Sequence, residues 1–433
     1  MGQFIKNIWE TLLFRILLLI IGMLISVVLA RYLRPEGYGK YSFIGLIAFC
    51  LYLVSNFALS DANIFLVGKR IFSPSQVGTG TGVVTVVLGV SALLVFGLIL
   101  QSEYLKEIIT QKGIEYFMIW IAVLAVPILM LSDNIKFIFM GMERIRTVNT
   151  LSLCYSGIQL IMITIFVVLL KMGLLGAIYS YLFSSFGILL LVLLYFLKSI
   201  NFQRASIPSY LKESLKFSWK LHISGLAFFL IYRVDMFLIV FITNDMKALG
   251  FYAIAVGIAE KIDTIPSVVG NVLFPRVTTL EKHEIRKYGP VILRITLSMT
   301  SLLGLCLALL SYPLVTILFG VDYKSSVLPI CILLAGVVFL GGGRILSSEL
   351  SGQGKTGFIS AANSVGLVIN IALNLFWIPK WGINGAAAAT SVAYGAMFAI
   401  ELMGASRLSG LSIFEYAIPR LSDFSEIRKR LYL

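Results

Sequence analysis

The chain has 433 residues, of which 59% are apolar and only 13% charged, with a formal charge of +14 and a mean hydropathy of +0.95. Soluble domains carry roughly 45–50% apolar and about 25% charged residues, so most soluble enzyme classes are excluded and an all-α polytopic membrane protein is expected. The excess of positive charge then belongs to short loops or to the bilayer interior, and no nucleic-acid partner is expected.

A crossing needs roughly 20 mainly apolar residues. Turns and charges divide the chain into twelve such stretches, 9–33, 41–67, 77–100, 115–140, 148–170 and 174–197, then 216–242, 249–274, 290–318, 326–350, 358–379 and 385–406. This predicts an N-terminal six-helix lobe over 1–197, a cytoplasmic linker over 198–215, a C-terminal six-helix lobe over 216–406 and a basic cytoplasmic tail over 407–433. The first stretch, interrupted by Arg15, is a poor signal peptide and reads as a retained span. With the N-terminus inside, inner segments hold 19 Lys and Arg against 8 in outer segments. Both termini are therefore expected in the cytoplasm.

Two decoys are set aside. Cys50, Cys154, Cys306 and Cys331 lie in apolar runs, and His222 and His283 are far apart, so no metal or disulfide spacing is present. Gly354-Lys355-Thr356 looks like the end of a phosphate-binding loop, but Glu349 stands where the earlier glycine is required and no βαβ context surrounds it.

The two halves resemble each other. Gly39-Lys40-Tyr41 matches Gly250-Phe251-Tyr252, Gly141 matches Gly352, and Met172 to Ala177 matches Trp381 to Ala386, at offsets of 211, 211 and 209 residues. Six spans per repeat give both halves the same orientation, a transporter plan in which paired lobes rock between inward and outward states.

Several motifs then become recognisable. The stretch Ala30 to Ser42, with Arg31, Pro35, Gly37 and Gly39-Lys40-Tyr41, resembles the first signature of polysaccharide flippases. Leu273-Phe274-Pro275-Arg276, Leu318 to Tyr323 and Pro379 to Ala387 are similar to their later ones. In order and spacing they resemble the Wzx-type O-antigen or lipid-linked oligosaccharide flippases of the multidrug/oligosaccharidyl-lipid/polysaccharide (MOP) exporter superfamily. The resemblance implies a V-shaped, MATE-like pair of lobes in the cytoplasmic membrane. It also implies translocation of an undecaprenyl-diphosphate-linked oligosaccharide from the inner to the outer leaflet for surface polysaccharide assembly. Membrane lipids and polysaccharide polymerase machinery are the implied partners.

Ionisable residues at span depth are costly and usually face a wet cavity or a partner. Arg15, Arg233, Lys261 and Arg344 are the candidate diphosphate-binding set, because guanidinium forks suit phosphate oxygens. Structural ion pairing is the competing reading at Arg233 and Arg344, neutralisation by Glu260 and Asp263 the competing reading at Lys261, and snorkelling the competing reading at Arg15. Lys136, Lys220 and Arg294 lie near an inner interface and read as snorkelling.

Asp235 with Asn370, Asn374 and Thr390 forms a candidate site for a coupling Na⁺ or proton, of a kind the superfamily places in its C-terminal lobe, and Asp61 is an N-lobe alternative. Ordinary interhelical hydrogen bonding is the bland reading there, and an Arg15 pair is the bland reading at Asp61. No resident cofactor or metal is otherwise expected. Gly341-Gly342-Gly343 reads either as an unwound stretch or as close helix packing, and Pro127 and Pro266 predict kinks.

Two alternatives share the fold. A drug/cation antiporter would want a net acidic cavity, and a lipid II-type flippase would be expected to have about 14 spans. An enzyme would want a catalytic loop with paired carboxylates, for which the outer loops, at roughly 5–14 residues, leave no room.

Overall fold

A computed structural model of the chain describes residues 2–200, 206–418 and 420, and every regular element among them is helical. In order these are α1 (Gly2–Asn56), α2 (Leu59–Gly68), α3 (Pro74–Leu100), α4 (Glu103–Gln111), α5 (Tyr116–Gly141), α6 (Ile145–Ile163), α7 (Gly173–Ser199), α8 (Ile207–Thr243), α9 (Met246–Ala259), α10 (Thr264–Val277), α11 (Lys282–Leu318), α12 (Val327–Gly352), α13 (Thr356–Ser409) and α14 (Ile413–Ala417). Arg204 and the tail residues Arg428, Lys429 and Arg430 lie outside the described residues.

Nine helices among the described residues are long and apolar enough to cross a membrane. The twelve predicted stretches do not map one to one onto continuous helices, because two connections are kinks rather than loops and a third break falls inside one predicted stretch. Within α1, Arg34 takes a left-handed φ of 58° ahead of Pro35. A residue before proline is driven out of the α region, and the proline lacks the donor that would continue the ladder. Within α13 the break is Gly382 at φ 56°, a conformation glycine adopts without a Cβ penalty. A 3₁₀ turn at Glu260–Asp263 joins α9 to α10, so the predicted span 249–274 is one path with a tightened middle. Pro266 removes the hydrogen bond that would otherwise carry the α ladder back into that turn.

Apolar side chains cover the outside as well as the core. Leu302, Leu305 and Leu309 on α11 are 63%, 59% and 75% exposed, a face suited to lipid tails and not to water.

The chain divides into two compact units, Met1–Leu226 and Ala227–Leu433. The division falls inside α8, and the connection expected over 198–215 is shorter than that, since α8 already begins at Ile207. Packing explains the difference. Tyr210 is fully buried in the first unit's core with Leu66, Val77, Ile138 and Val192, and its hydroxyl donates to Asn63 Oδ1 at 2.7 Å. That bond joins a buried polar network. Asn134 Nδ2 donates to Asn56 Oδ1 and Thr85 Oγ1 at 2.8 and 3.0 Å, and Asn134 Oδ1 accepts from Ser60 Oγ at 2.7 Å. Such interhelical bonds replace the hydrophobic drive that lipid cannot supply.

The repeat is written into the backbone. Left-handed residues fall in equivalent places in the two units: Arg34/Asn244, Gly113/Gly320, Glu143/Gly354 and Gly173/Gly382 are separated by 210, 207, 211 and 209 residues. Close contacts recur as well. A Cβ on Gly141 would meet Val67 and the Ile64 carbonyl, and one on Gly352 would meet Val277 and the Phe274 carbonyl, each partner 210 residues further along. Gly341, Gly342 and Gly343 lie in unbroken helix, where Pro266, Phe398 and Glu401 respectively occupy the missing side-chain space. Close packing is therefore their role.

Candidate functional site

The second unit assembles the intramembrane charges around the 3₁₀ turn Glu260–Asp263. Side chains at i and i+3 eclipse in a 3₁₀ helix, so Glu260 and Asp263 project from one side of the turn and each meets an arginine from another helix. Arg233, on α8, makes a forked pair with Glu260, Nη1 to Oε1 at 2.7 Å and Nη2 to Oε2 at 2.9 Å. Arg344, on α12, donates from Nη2 and Nε to Asp263 Oδ2 at 3.0 and 3.3 Å. Tyr232 ties the pairs together: its carbonyl accepts from Arg233 Nη1 at 2.9 Å and its hydroxyl from Arg344 Nη2 at 3.1 Å. The Phe228 ring lies 5.3 Å from the Arg344 guanidinium carbon, within range of a cation–π contact.

The competing ion-pair reading thus describes the ground state of Arg233 and Arg344. They still keep 29% and 32% of their side chains exposed. Lys261 sits on the same turn but is exposed, and its acidic neighbours are committed to the arginines instead. The turn and its two arginines carry three cations against two carboxylates, with Asp235 a third carboxylate in electrostatic range of Arg233.

The oxygen-rich set is also brought together. Asp235, 1% exposed, accepts at Oδ1 from the Met236 amide at 2.7 Å and at Oδ2 from the Tyr252 and Thr390 hydroxyls at 2.5 and 3.0 Å. Asn370 Nδ2 donates to Thr390 Oγ1 at 3.2 Å, and Asn374 Nδ2 to Asn370 Oδ1 at 2.7 Å. Asn374 Oδ1 is buried without a hydrogen-bond partner among the described residues. Carboxylate, hydroxyl and amide oxygens are the donor set a hard cation takes, and an orphaned buried acceptor is what such an ion would satisfy.

Sequence reasoning missed Tyr232 and Tyr252. The second was marked by the repeat, since it is the counterpart of Tyr41. The first carries no such signal.

The remaining candidates, Arg15 and Asp61, belong to the first unit. Arg15, on α1, is half-buried and Asp61, in the first turn of α2, is exposed; they form no ion pair with each other. Of the residues read as snorkelling, Lys136 instead pairs with Asp133 at 2.6 Å. Arg294 is 6% exposed and donates to the Glu415 carbonyl at 2.7 Å. Glu349 and Glu401 are buried and accept from the Tyr416 and Ser347 hydroxyls.

Residues 4–281 match the family model described as polysaccharide biosynthesis protein. The chain belongs to the polysaccharide biosynthesis protein family. A stretch of 144 residues is 30% identical to an uncharacterized membrane protein of Methanocaldococcus jannaschii, covering 32% of this chain and 28% of that relative's length. The fold is similar to that of the lipid II flippase MurJ in an inward closed conformation, with a TM-score of 0.71 at 18% identity over 98% of this chain and 90% of the other. It is also similar to an inward-facing multidrug resistance MATE transporter of the MOP superfamily, with a TM-score of 0.66 at 16% identity over 90% and 95%. At these identities the likeness is one of fold: the family member is built as a helical protein with several helices long and apolar enough to cross a membrane.

Proposed function

We propose that the chain is a flippase for undecaprenyl-diphosphate-linked oligosaccharide, moving it from the inner to the outer leaflet of the cytoplasmic membrane by alternating access, with twelve crossings in two six-helix lobes and both termini inside. The observation that supports this most is the pair of guanidiniums, Arg233 and Arg344, held at span depth by forked carboxylate contacts in a member of a polysaccharide biosynthesis family. A diphosphate competes for such forks with bidentate, charge-assisted hydrogen bonds. The carboxylates keep the arginines in place and solvated in the empty state, which moderates the cost of unpaired charge in the bilayer. Lys261 adds a free cation on the same turn, and Arg15 is the cationic candidate of the first unit. Polymerase machinery is the expected partner downstream.

The test is leaflet exchange of a fluorescent undecaprenyl-diphosphate oligosaccharide in proteoliposomes. Exchange above protein-free vesicles is expected. Its absence, with efflux of a cationic dye in its place, overturns the flippase in favour of the drug/cation antiporter.

Asp235, Asn370, Asn374 and Thr390 are proposed as the coupling-cation site, for Na⁺ or a proton, with Asp61 a weaker alternative because it lacks the oxygen partners that surround Asp235. Asp235→Asn keeps the shape and removes the charge. Exchange that responds to an imposed Na⁺ or proton gradient in wild type is expected to lose that response in this variant. An unchanged response in Asp235→Asn, with loss in Asp61→Asn, would move the site to the first unit.

A further inference from the structure

A second polar cluster lies within the first unit. Asp133, on α5, accepts from the Tyr52 hydroxyl at 3.1 Å and pairs with Lys136 Nζ at 2.6 Å. Tyr155 on α6 and Tyr181 on α7 lie within electrostatic range of Asp133, and both lie within range of Tyr41. Tyr41 and Tyr52 are eleven residues apart on α1, about three turns, and so share a face. All four tyrosines are half-buried, and the Asp133 side chain keeps 28% of its surface exposed. The Tyr181 hydroxyl makes no hydrogen bond among the described residues.

This is not helix glue of the kind seen around Asn134. There Asn63, Thr81, Thr85 and Asn134 are completely buried and bonded to one another. Here the four tyrosines and Asp133 are only partly buried, while Tyr41, Tyr52 and Tyr155 bond to Gln159, Ser60 and Ser185 at the cluster's edge.

The repeat sharpens the contrast. Tyr52 and Asp133 are the counterparts of Asp263 and Arg344, both at an offset of 211 residues, and each pair touches within its own unit. Tyr41 and Gln159 are the counterparts of Tyr252 and Asn370 at the same offset, and Tyr181 is the counterpart of Thr390 at 209. In the second unit those three positions close around the buried Asp235. In the first, Leu24, Ile25 and Ser26 stand at the equivalent place and offer no acid. A tyrosine replaces the threonine, and the carboxylate has moved to the position where the second unit carries Arg344.

We infer that this cluster of Tyr41, Tyr52, Tyr155, Tyr181 and Asp133 is a saccharide subsite that takes a pyranose ring of the lipid-linked substrate; the inference rests on the flippase reading above. A pyranose has an apolar C–H face, which packs on the electron-rich faces of aromatic rings, and a rim of hydroxyls. Asp133 supplies oxygens that accept from adjacent hydroxyls, and tyrosine hydroxyls both donate and accept. The Lys136 ammonium, 2.6 Å from Asp133, already balances its charge, so the cluster favours a neutral hydroxylated ligand over a cationic one.

The experiment uses the full chain in nanodiscs and measures binding of undecaprenyl diphosphate and of its glucosyl, galactosyl and N-acetylglucosaminyl forms. Wild type is expected to bind at least one glycosylated form about tenfold more tightly than the bare lipid, the worth of one charge-assisted hydrogen bond. Tyr155→Ala, Tyr181→Ala and Asp133→Asn are each expected to erase most of that preference while leaving bare-lipid affinity unchanged. Tyr181→Phe, which keeps the ring, should fall between, and it guards against misfolding of the alanine variants. Bare-lipid binding with no preference for any sugar, or a preference that survives all the substitutions, overturns the subsite and leaves the flippase standing. Equal weakening of both lipids by the variants assigns the cluster a structural role and also overturns it. Failure of wild type to bind any of these lipids removes both readings together.

Discussion

Arg344→Gln combined with Asp263→Asn is expected to fold and yet to exchange lipid-linked oligosaccharide at least about tenfold more slowly than wild type, because charge-assisted hydrogen bonds are worth roughly 1.5–3 kcal/mol. The double substitution is more informative than Arg344→Ala alone. Asp263 is 8% exposed, and without its arginine it keeps only the Ser267 hydroxyl at 3.3 Å, while its other oxygen already lacks a partner. Removing one member of a buried ion pair costs roughly 3–5 kcal/mol. That figure is an upper bound here, since the arginine is about a third exposed. The neutral pair removes the charge and its counter-charge together, so loss of exchange then reports on the diphosphate. Asp263→Asn alone frees the fork and is expected to retain exchange. Wild-type rates in the double variant would mean that Arg344 serves only its partner, and the site would pass to Arg233, where Arg233→Gln with Glu260→Gln makes the same test.

The largest effect on stability is expected at two glycines whose missing Cβ faces a backbone carbonyl at close range. A Cβ on Gly385 would overlap the Trp377 carbonyl oxygen, and one on Gly176 would stand 2.7 Å from the Phe166 carbonyl oxygen, the equivalent contact of the first unit. Both obstacles are backbone, which cannot rotate aside as a side chain can. Overpacking of this sort costs about 1–3 kcal/mol, and more where nothing yields. Gly385→Ala should therefore lower the thermal unfolding midpoint in detergent, with Gly176→Ala showing the same sign and a smaller size. Gly257, on α9, faces open space, so Gly257→Ala should match wild type or gain slightly from alanine's helix preference. A wild-type midpoint for Gly385→Ala would show that α13 shifts freely about its kink at Gly382.

The membrane class, the abundance of long apolar helices and the matching positions of the two halves were legible in the sequence. They are one-dimensional properties: a bilayer demands long apolar runs whatever they pack against, and duplicated lobes leave matching glycines in order. The fourfold set of Asp235, Asn370, Asn374 and Thr390 was legible for a related reason, since polar residues are so rare at span depth that each one stands out. Three things were not. Proline and glycine positions marked breaks, but whether Arg34-Pro35 and Gly382 end a helix or bend it depends on what the flanking segments pack against. The beginning of α8 is held by Tyr210 in the first unit's core, a contact spanning well over a hundred residues of sequence that no local pattern shows.

The partners of the charges were decided by tertiary structure alone. Adjacency along the chain set Glu260 and Asp263 beside Lys261, as if to neutralise it. The 3₁₀ turn instead points both carboxylates at arginines that α8 and α12 deliver from 27 and 81 residues away. A pattern of residues determines which groups must find partners in the bilayer, because unpaired charge there is costly. Which partner each one finds is set by helix rotation and crossing, and those follow from the packing of whole surfaces.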